Sequence, residues 1–238
     1  MHHLWPTGLI LALVVALSGC AQHHAGDEHC SENDHFDCPR ISSELESTGM
    51  FFVDQQILDT RSKHFVRHSG EGKYESYLVQ NIPFEPLSDL RQKIEEQFDV
   101  SLKHRGEAHI TVITPPEFER LSSHLSIDEI NELASETIQS MTYQPVCLGR
   151  GRSRGQPPDE GTIMTTFFIV VTSRELVALR EQIATAYRQA GGTEPAFKTQ
   201  YHPHITLGFT HRDLHDSDGV TKDETSCVAG IGTVEKID

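Results

Sequence analysis

The pattern of apolar and polar positions follows the same order in the two halves of the chain. In the first half, residues 74–82 (YESYLVQNI) predict a strand. After Ser88, a residue type that often caps helices, apolar positions recur at helical spacing and predict a helix with one apolar face. That face consists of Leu90, Ile94 and Phe98. A strand of alternating polar and apolar residues, 109–112 (HITV), follows.

In the second half, residues 163–171 (IMTTFFIVV) are rich in β-branched and aromatic residues and strongly predict a strand. Thr172 and Glu175 have capping-box spacing, so a helix is expected to begin there and to end at Gly191-Gly192. Its apolar face consists of Leu176, Leu179, Ile183 and Tyr187. A second alternating strand, 204–207 (HITL), comes next.

Further elements are predicted between these two units. Ser126 and Glu129 have the spacing of a capping box for a helix with an apolar face. That face consists of Ile130, Leu133 and Ile138. Residues 141–148 predict a strand, and residues 149–155 (GRGRSRG) predict a Gly/Arg loop after it.

The repetition predicts a duplicated α+β fold. A strand, a helix and an alternating strand occur in each half, so we expect a bilobal arrangement with two antiparallel sheets. The sheets would face one another across a central cleft, with the helices on the outside. Residues 47–238 would form this two-lobed domain, and a hydrophobic content of 37% is sufficient for its core.

The alternating strands are nearly identical tetrapeptides, His109-Ile110-Thr111-Val112 and His204-Ile205-Thr206-Leu207. Side chains at i and i+2 of a strand share a face, so each His lies beside its own Thr while the apolar residues enter the core. One copy would be a weak signal among 15 histidines, because a lone histidine is more often a surface or core residue. Recurrence within a repeated unit favours a functional role.

Two imidazoles on facing strands suit displacement at phosphorus. Since the ordinary imidazole pKa is about 6.5, one histidine can accept the proton of the entering nucleophile while a second donates to the leaving alcohol. The hydroxyls of Thr111 and Thr206 can donate to the non-bridging oxygens, where negative charge is held. This chemistry calls for neither a metal nor another cofactor, and none is expected.

The two tetrapeptides resemble the motifs of the two-histidine (2H) phosphoesterase superfamily, in particular its RNA ligase-like and cyclic phosphodiesterase branch. Members carry two His-x-Thr/Ser-x motifs in a duplicated α+β fold. The positions that match are His109, Thr111, His204 and Thr206. Residues 201–209 (YHPHITLGF) are especially similar to the second motif, and the resemblance extends from about Phe51 to the C-terminus.

The resemblance implies metal-independent hydrolysis or formation of 2′,3′-cyclic phosphates, or of related phosphodiesters, on nucleotides or RNA ends. By analogy with the cyclic phosphodiesterase branch, His204 would activate water and His109 would protonate the leaving ribose oxygen. The four-residue pattern by itself assigns neither role.

Three residues outside the motifs are candidates for substrate binding. Tyr201 could stack on a base, Lys198 could contact phosphate, and Arg152 of the Gly/Arg loop could reach a bound nucleotide. The simpler alternatives are a packing tyrosine, a solvated lysine and a solvated loop. His202 is kept outside the catalytic set, because it alternates with Pro203 and need not share the cleft geometry.

The net charge narrows the range of partners. A formal charge of −15 argues against a broad electropositive surface for long nucleic acid. A small nucleotide or a short RNA end fits better, and we expect a monomer.

The N-terminus predicts export. Residues 9–17 form an apolar run that is too short to span a membrane comfortably, and Leu17-Ser18-Gly19-Cys20 resembles a bacterial lipobox. Cleavage and acylation at Cys20 would make residues 1–19 a lipoprotein signal peptide and anchor the mature chain at a membrane. Because Ala21 is not an Asp-type retention signal, the periplasmic side of the outer membrane is expected. A plain secretory peptide is the alternative, and the mature protein is extracytoplasmic in either case.

The remaining cysteines agree with export. With Cys20 lipidated, four cysteines allow three pairings. We favour Cys30 with Cys38 and Cys147 with Cys227, although the sequence does not choose between pairings. Oxidising surroundings would permit disulfides, and reduced thiols are the alternative.

Residues 20–46 are polar, rich in histidine and acidic residues, and poor in apolar ones. This composition is typical of a tether between an anchor and a domain. Histidine, carboxylate and cysteine could also collect Zn or Cu, but their spacing matches no closed site.

Two other functions stay open. The chain could be a lipoprotein that binds nucleotides or RNA ends without processing them, or a metal-acquisition lipoprotein that uses its histidine-rich tether. Turnover that persists in EDTA would favour the enzyme, a stable complex without product would favour the binder, and metal loading lost with residues 21–40 would favour metal acquisition.

Overall fold

The computed structural model describes residues 49–155, 160–197 and 200–235, and these form an α+β fold. The strands are β1 (Met50–Asp54), β2 (Leu78–Ile82), β3 (Ala108–Ile113), β4 (Gln144–Arg154), β5 (Ile163–Thr172), β6 (His204–Phe209) and β7 (Cys227–Val234). The α-helices are α1 (Ser88–Phe98), α2 (Pro115–Leu121), α3 (Ile127–Ser140) and α4 (Arg174–Gln189). Short 3-10 helices connect several of them.

The seven strands belong to one sheet, in the order β1-β7-β4-β5-β6-β3-β2. The pair β1 and β7 runs parallel, and the other neighbouring strands run antiparallel. The α+β class is therefore confirmed, but two facing sheets are not found in the described part of the chain. Instead β3 and β6 pair directly, with Ile110 opposite Ile205. Pairing satisfies backbone N–H and C=O groups that both strands would otherwise expose at sheet edges.

The sequence repeat is visible in this topology. The first unit is β2-α1-β3 and the second is β5-α4-β6, and within each unit the two strands pair antiparallel. The order β2-β3-β6-β5 is therefore symmetric about the β3–β6 pair. The strands β4, β7 and β1 extend the sheet beyond β5 on one side.

The helices and one face of the sheet share the main hydrophobic core. Ile110 and Ile205 are fully buried in it. The apolar faces predicted for α1 and α4 are confirmed, because the following residues are buried in the same core: Leu90, Ile94, Leu176, Leu179, Ile183 and Tyr187. Phe98 is partly buried against it, whereas Leu133 of α3 is 36% exposed, contrary to the prediction.

The N-termini of the helices show which of the predicted capping residues act as caps. The capping box of Ser126 and Glu129 is confirmed, since each side chain accepts from the backbone N–H of the other. Helix α4 is capped by Ser173 and not by Thr172, because Thr172 is still paired with β4. Ser88 is also not the N-cap of α1: it is the first residue of that helix, and its hydroxyl donates to the Glu85 carbonyl of the preceding 3-10 helix.

Strand β2 is shorter than the predicted strand 74–82. Tyr74 has a φ of +68°, in the left-handed region that interrupts an extended strand. A turn closes there through a hydrogen bond from the Glu75 N–H to the Gly72 carbonyl. The ladder with β3 begins only at Leu78.

The predicted Gly/Arg loop is wrong: residues 149–154 are part of β4, which pairs with β5 over its whole length. The alternation of small and long side chains has a packing reason. A Cβ on Gly149 would lie 2.3 Å from the Phe168 ring, and one on Gly151 would lie 2.2 Å from Val220. The glycines thus make room for apolar side chains on one face, and the arginines project from the other.

A disulfide between Cys147 and Cys227 joins β4 to β7, which confirms this predicted pairing. Cys30 and Cys38 lie outside the described residues. The bonded Cys147 packs with Phe168 and Val170 on the face of the sheet opposite the helices. The bridge closes a long loop, because its cysteines are 80 positions apart.

Among the described residues, no helix has the length and apolar character that crossing a membrane requires.

Replacing both bonded cysteines, Cys147→Ser/Cys227→Ser, is expected to lower the free energy of unfolding by about 2–5 kcal/mol, because the unfolded chain is no longer constrained. Denaturant unfolding of the full chain measures this change. The matched control is Cys30→Ser/Cys38→Ser, which leaves the β4–β7 bridge intact. An unchanged unfolding midpoint in the first variant would contradict the structural role of the bridge.

Candidate active site

The four motif side chains lie on the face of the sheet opposite the helices. Along β3 and β6 the His and Thr residues are half-buried, while the Ile residues between them are buried. With Ile110 opposite Ile205, antiparallel register puts His109 opposite Thr206 and His204 opposite Thr111. Each His thus has its own Thr along the strand and the other motif's Thr across it.

Both motifs line one cleft of about 850 Å³. The two histidines are diagonal neighbours on paired strands, a relation that typically separates residues by about 7–8 Å. A tetrahedral anion fits between side chains at this spacing. The prediction that the two halves bring His109, Thr111, His204 and Thr206 to one cavity therefore agrees with the geometry, although the strands lie side by side and do not face each other.

His204 is held in one tautomer. Its Nδ1 lies 2.8 Å from the backbone carbonyl oxygen of His202, which can only accept, so Nδ1 carries the hydrogen. Burial, together with the nearby Lys222 cation, lowers the pKa of His204 to about 3. The ring is also packed edge-on against Phe168, with 5.9 Å between ring centroids. In its neutral form His204 therefore has Nε2 available as a proton acceptor.

His109 is in a different electrostatic environment. Burial lowers its pKa below the ordinary value, but the carboxylate of Glu107 opposes that shift. Glu107 Oε1 lies 3.9 Å from Nδ1 of His109. A neighbouring carboxylate favours the imidazolium form, so His109 is the better placed of the two histidines to donate a proton.

A buried ion pair adjoins Thr206. Nζ of Lys222 lies 2.8 Å from Asp213 Oδ1 and 3.4 Å from the Thr206 hydroxyl. The hydroxyl in turn donates to Asp213 Oδ2 at 3.5 Å. Neither Lys222 nor Asp213 is predicted as a site residue from the sequence, because single charged residues in a polar connection between β6 and β7 carry no periodic or motif signal.

A second buried ion pair forms the wall of the cleft beside β3. The Arg180 guanidinium of α4 donates to both carboxylate oxygens of Glu117, at 2.8 and 3.1 Å, and to the carbonyl of Val112. Glu117 also caps α2 through Thr114. These bonds hold the Glu117 carboxyl pKa below its ordinary value despite its burial. The ion pair thus holds the C-terminal end of β3, the strand that carries the first motif.

The residues predicted to bind substrate do not all lie in the cleft. Tyr201 lines the cleft, but its hydroxyl donates to the Thr111 carbonyl at 3.1 Å and its ring lies beneath Arg180. Tyr201 is therefore a packing residue that supports β3. Arg152 is opposite Thr165 in the β4–β5 pair, and its side chain lies on the helix side of the sheet. It is therefore not part of the cleft that the motif side chains line. Lys198 and Cys20 lie outside the described residues.

Other side chains complete the cleft. His202, which the sequence analysis left out, does line it, beside His204. Tyr74, Tyr77 and Arg105 line the end near the first motif. His215 also lines the cleft, with Nε2 3.9 Å from Asp213 Oδ2. Within the described residues, no group of three or more His, Cys, Asp or Glu side chains could hold a metal ion.

Comparison with known proteins identifies one family. A family model described as "Swiss Army Knife, 2H phosphoesterase domain" matches residues 76–215, which is more than half of the chain and includes both His-x-Thr motifs. Lys222 lies beyond the matched residues. No curated protein and no solved structure gives a significant match.

The tautomer and pKa of His204 can be tested without any ligand. Because its pKa is lowered to about 3, the ring is expected to remain neutral, with the hydrogen on Nδ1, from pH 8 down to pH 5. Nitrogen-15 chemical shifts of the imidazole, assigned by comparison with His204→Gln, measure both properties. Protonation of this ring near pH 6.5 would contradict the role of burial and Lys222.

Proposed function

The chain belongs to the 2H phosphoesterase superfamily, and from this we propose that it is a phosphodiesterase acting on 2′,3′-cyclic phosphates, or related phosphodiesters, of nucleotides or RNA ends. The observation that carries the proposal is the pairing of β3 with β6, which gives one cleft two imidazoles and two hydroxyls. Family membership supports phosphodiesterase-type chemistry in general. The choice of cyclic phosphates is our own inference.

The proposed reaction is general acid-base catalysis by the two histidines. Nε2 of His204 takes a proton from water, and the water oxygen forms a bond to phosphorus. The bond from phosphorus to one ribose oxygen breaks, and protonated His109 gives its proton to that oxygen. The products are a ring-opened phosphomonoester and a free ribose hydroxyl. Proton exchange with solvent then removes the proton from His204 and restores the one on His109.

The environments of the two histidines support this division of roles. His204 is neutral and has its Nε2 lone pair available, because the His202 carbonyl holds its Nδ1 hydrogen. His109 lies beside Glu107, which favours its protonated form. The Thr111 hydroxyl would donate to a non-bridging oxygen, where charge is held through the transition state. The single Thr206 hydrogen is directed to Asp213 Oδ2 at 3.5 Å, so this hydroxyl would donate to the substrate only after turning from Asp213.

The size and charge of the protein favour a small substrate. A cleft of about 850 Å³ is in the range that binds small molecules and nucleotides. The net charge of −15 disfavours a long polyanion. We therefore propose a nucleotide or a short RNA end as substrate, a monomeric enzyme, and no cofactor.

We also propose an extracytoplasmic location, with Cys20 as the lipid anchor of a bacterial lipoprotein. The lipobox-like tetrapeptide 17–20 supports the anchor. The Cys147–Cys227 disulfide supports an oxidising compartment, because such bonds are rare in the cytosol. Tether, signal peptide and anchor all lie outside the described residues.

Single replacements of the motif histidines test the activity. His109→Ala and His204→Ala are each expected to reduce hydrolysis of adenosine 2′,3′-cyclic monophosphate by about 10²–10⁴-fold in EDTA, because each removes one proton transfer. Thr111→Ala and Thr206→Ala should each cost about 1–3 kcal/mol in the transition state. Product formation followed by phosphorus NMR measures the rate and identifies the phosphate isomer.

His211→Ala is the matched control, since His211 is exposed near the end of β6 and does not line the cleft. Near-normal turnover in the double variant His109→Ala/His204→Ala would end the enzymatic proposal. A stable nucleotide complex without product in the wild-type protein would instead favour the binding lipoprotein.

The pH dependence tests the roles of the histidines. Catalysis needs neutral His204 and protonated His109, and both pKa values are lowered, so kcat/KM should be bell-shaped with its maximum on the acidic side of pH 6.5. Glu107→Gln removes a group that raises the His109 pKa, so the alkaline limb should move to lower pH. Movement of the acidic limb instead would reverse the assigned roles.

A further inference from the structure

Lys222 is a buried cation in the catalytic cleft. Its side chain is 4% exposed and that of Asp213 is 10% exposed. Removing two charges from water is costly, and a buried ion pair often stabilises the fold no better than apolar residues of the same size. The position of the pair in the cleft wall, in contact with a motif hydroxyl, indicates a role in the site.

The contacts of the ammonium leave it able to bind an anion. Within the described residues, Asp213 Oδ1 and the Thr206 hydroxyl accept from Lys222 Nζ, and an ammonium has three N–H donors. A third donor therefore remains for an oxygen atom in the cleft. Thr206 is also the residue opposite His109, so an anion that contacts the Thr206 hydroxyl and the ammonium lies beside the first-motif imidazole.

The surrounding charges favour Lys222 as the anion-binding group. Arg105 also lines the cleft but is exposed, so water weakens its attraction for a phosphate. Lys222 lies over the Phe168 ring, at 5.6 Å from the ring centroid, and His204 packs on the same ring. The ammonium is thus held in a water-poor position near His204.

We propose that Lys222 is the cation that binds the scissile phosphate, and that Asp213 is a positioning residue that holds the Lys222 ammonium against Thr206. The inference rests on the proposed function, since it names the group that neutralises the substrate's charge at the same site. The family model ends before Lys222, and neither motif assigns it a role.

Inorganic phosphate is the probe, both as a competitive inhibitor of adenosine 2′,3′-cyclic monophosphate hydrolysis and as a ligand in titration calorimetry. Lys222→Met should raise the inhibition constant and the KM by about 10–100-fold, because a charge-assisted bond is lost. Lys222→Arg keeps the charge and should recover part of the binding. Lys103→Met, which replaces an exposed lysine outside the cleft, is the matched control.

Two further variants separate binding from folding. Lys222→Met leaves the Asp213 carboxylate buried without its cation and could therefore impair folding. The double variant Lys222→Met/Asp213→Asn removes both charges. It should fold, and it should bind phosphate as weakly as Lys222→Met. Asp213→Asn alone keeps an oxygen for the ammonium. As a positioning residue, Asp213 should act through Lys222: Asp213→Asn should raise the phosphate inhibition constant, and the double variant should raise it no further than Lys222→Met alone. The loss of the Asp213 charge near His109 should also move the alkaline limb of kcat/KM to lower pH, an effect that Asp213 exerts on His109 directly.

The outcomes are distinguishable from those of the proposed function. Wild-type turnover with equal phosphate inhibition in the folded Lys222→Met/Asp213→Asn variant would overturn the role of Lys222 and leave the enzyme proposal intact. Absence of turnover in the wild type would overturn the enzyme proposal, while calorimetry would still test Lys222. Failure of the wild-type protein to bind phosphate would overturn the inference.

Discussion

The site depends on the antiparallel pairing of β3 with β6. Ile110 and Ile205 are fully buried opposite one another, and their burial fixes which face of each strand points away from the core. Because strand side chains alternate with a period of two, a slip of one residue in either strand would move its imidazole into the core and an isoleucine into the cleft. Hydrophobic burial on one face therefore directs the four motif side chains into the cleft on the other.

Side chains from the second half hold the first motif strand in place. The Tyr201 hydroxyl donates to the Thr111 carbonyl, and the Arg180 guanidinium donates to the Val112 carbonyl. Arg180 is itself balanced by Glu117, and Lys222 by Asp213, so each buried cation has a carboxylate partner. Because Tyr201 and Arg180 are 90 and 68 positions from the carbonyl groups they bind, the geometry of the first motif depends on contacts between the two halves of the domain.

Local patterns predicted the elements well where one physical signal dominated. The helical faces of α1 and α4 and the capping box at Ser126 follow from periodicity and cap chemistry, which act within a few residues. The composition of the Gly/Arg segment predicts a loop, since glycine and arginine are common in loops, and this prediction is wrong. Only the Phe168 ring and Val220, both distant in sequence, show that the glycines there are packing positions of a strand.

Two His-x-Thr strands, the shared face of each His and Thr, and the resemblance to a superfamily can all be predicted from the sequence. These properties depend only on residues two positions apart and on the motifs themselves. The tertiary structure decided that the strands pair side by side, that Lys222 and Asp213 join the site, and that Arg152 lies on the other face. The β3–β6 register joins residues 95 positions apart, and the spacing of residues along a chain does not encode which distant partners meet. Lys222 and Asp213 are only nine positions apart, but they lie in an irregular connection without a periodic pattern, so their pairing and its contact with Thr206 follow only from the folded chain.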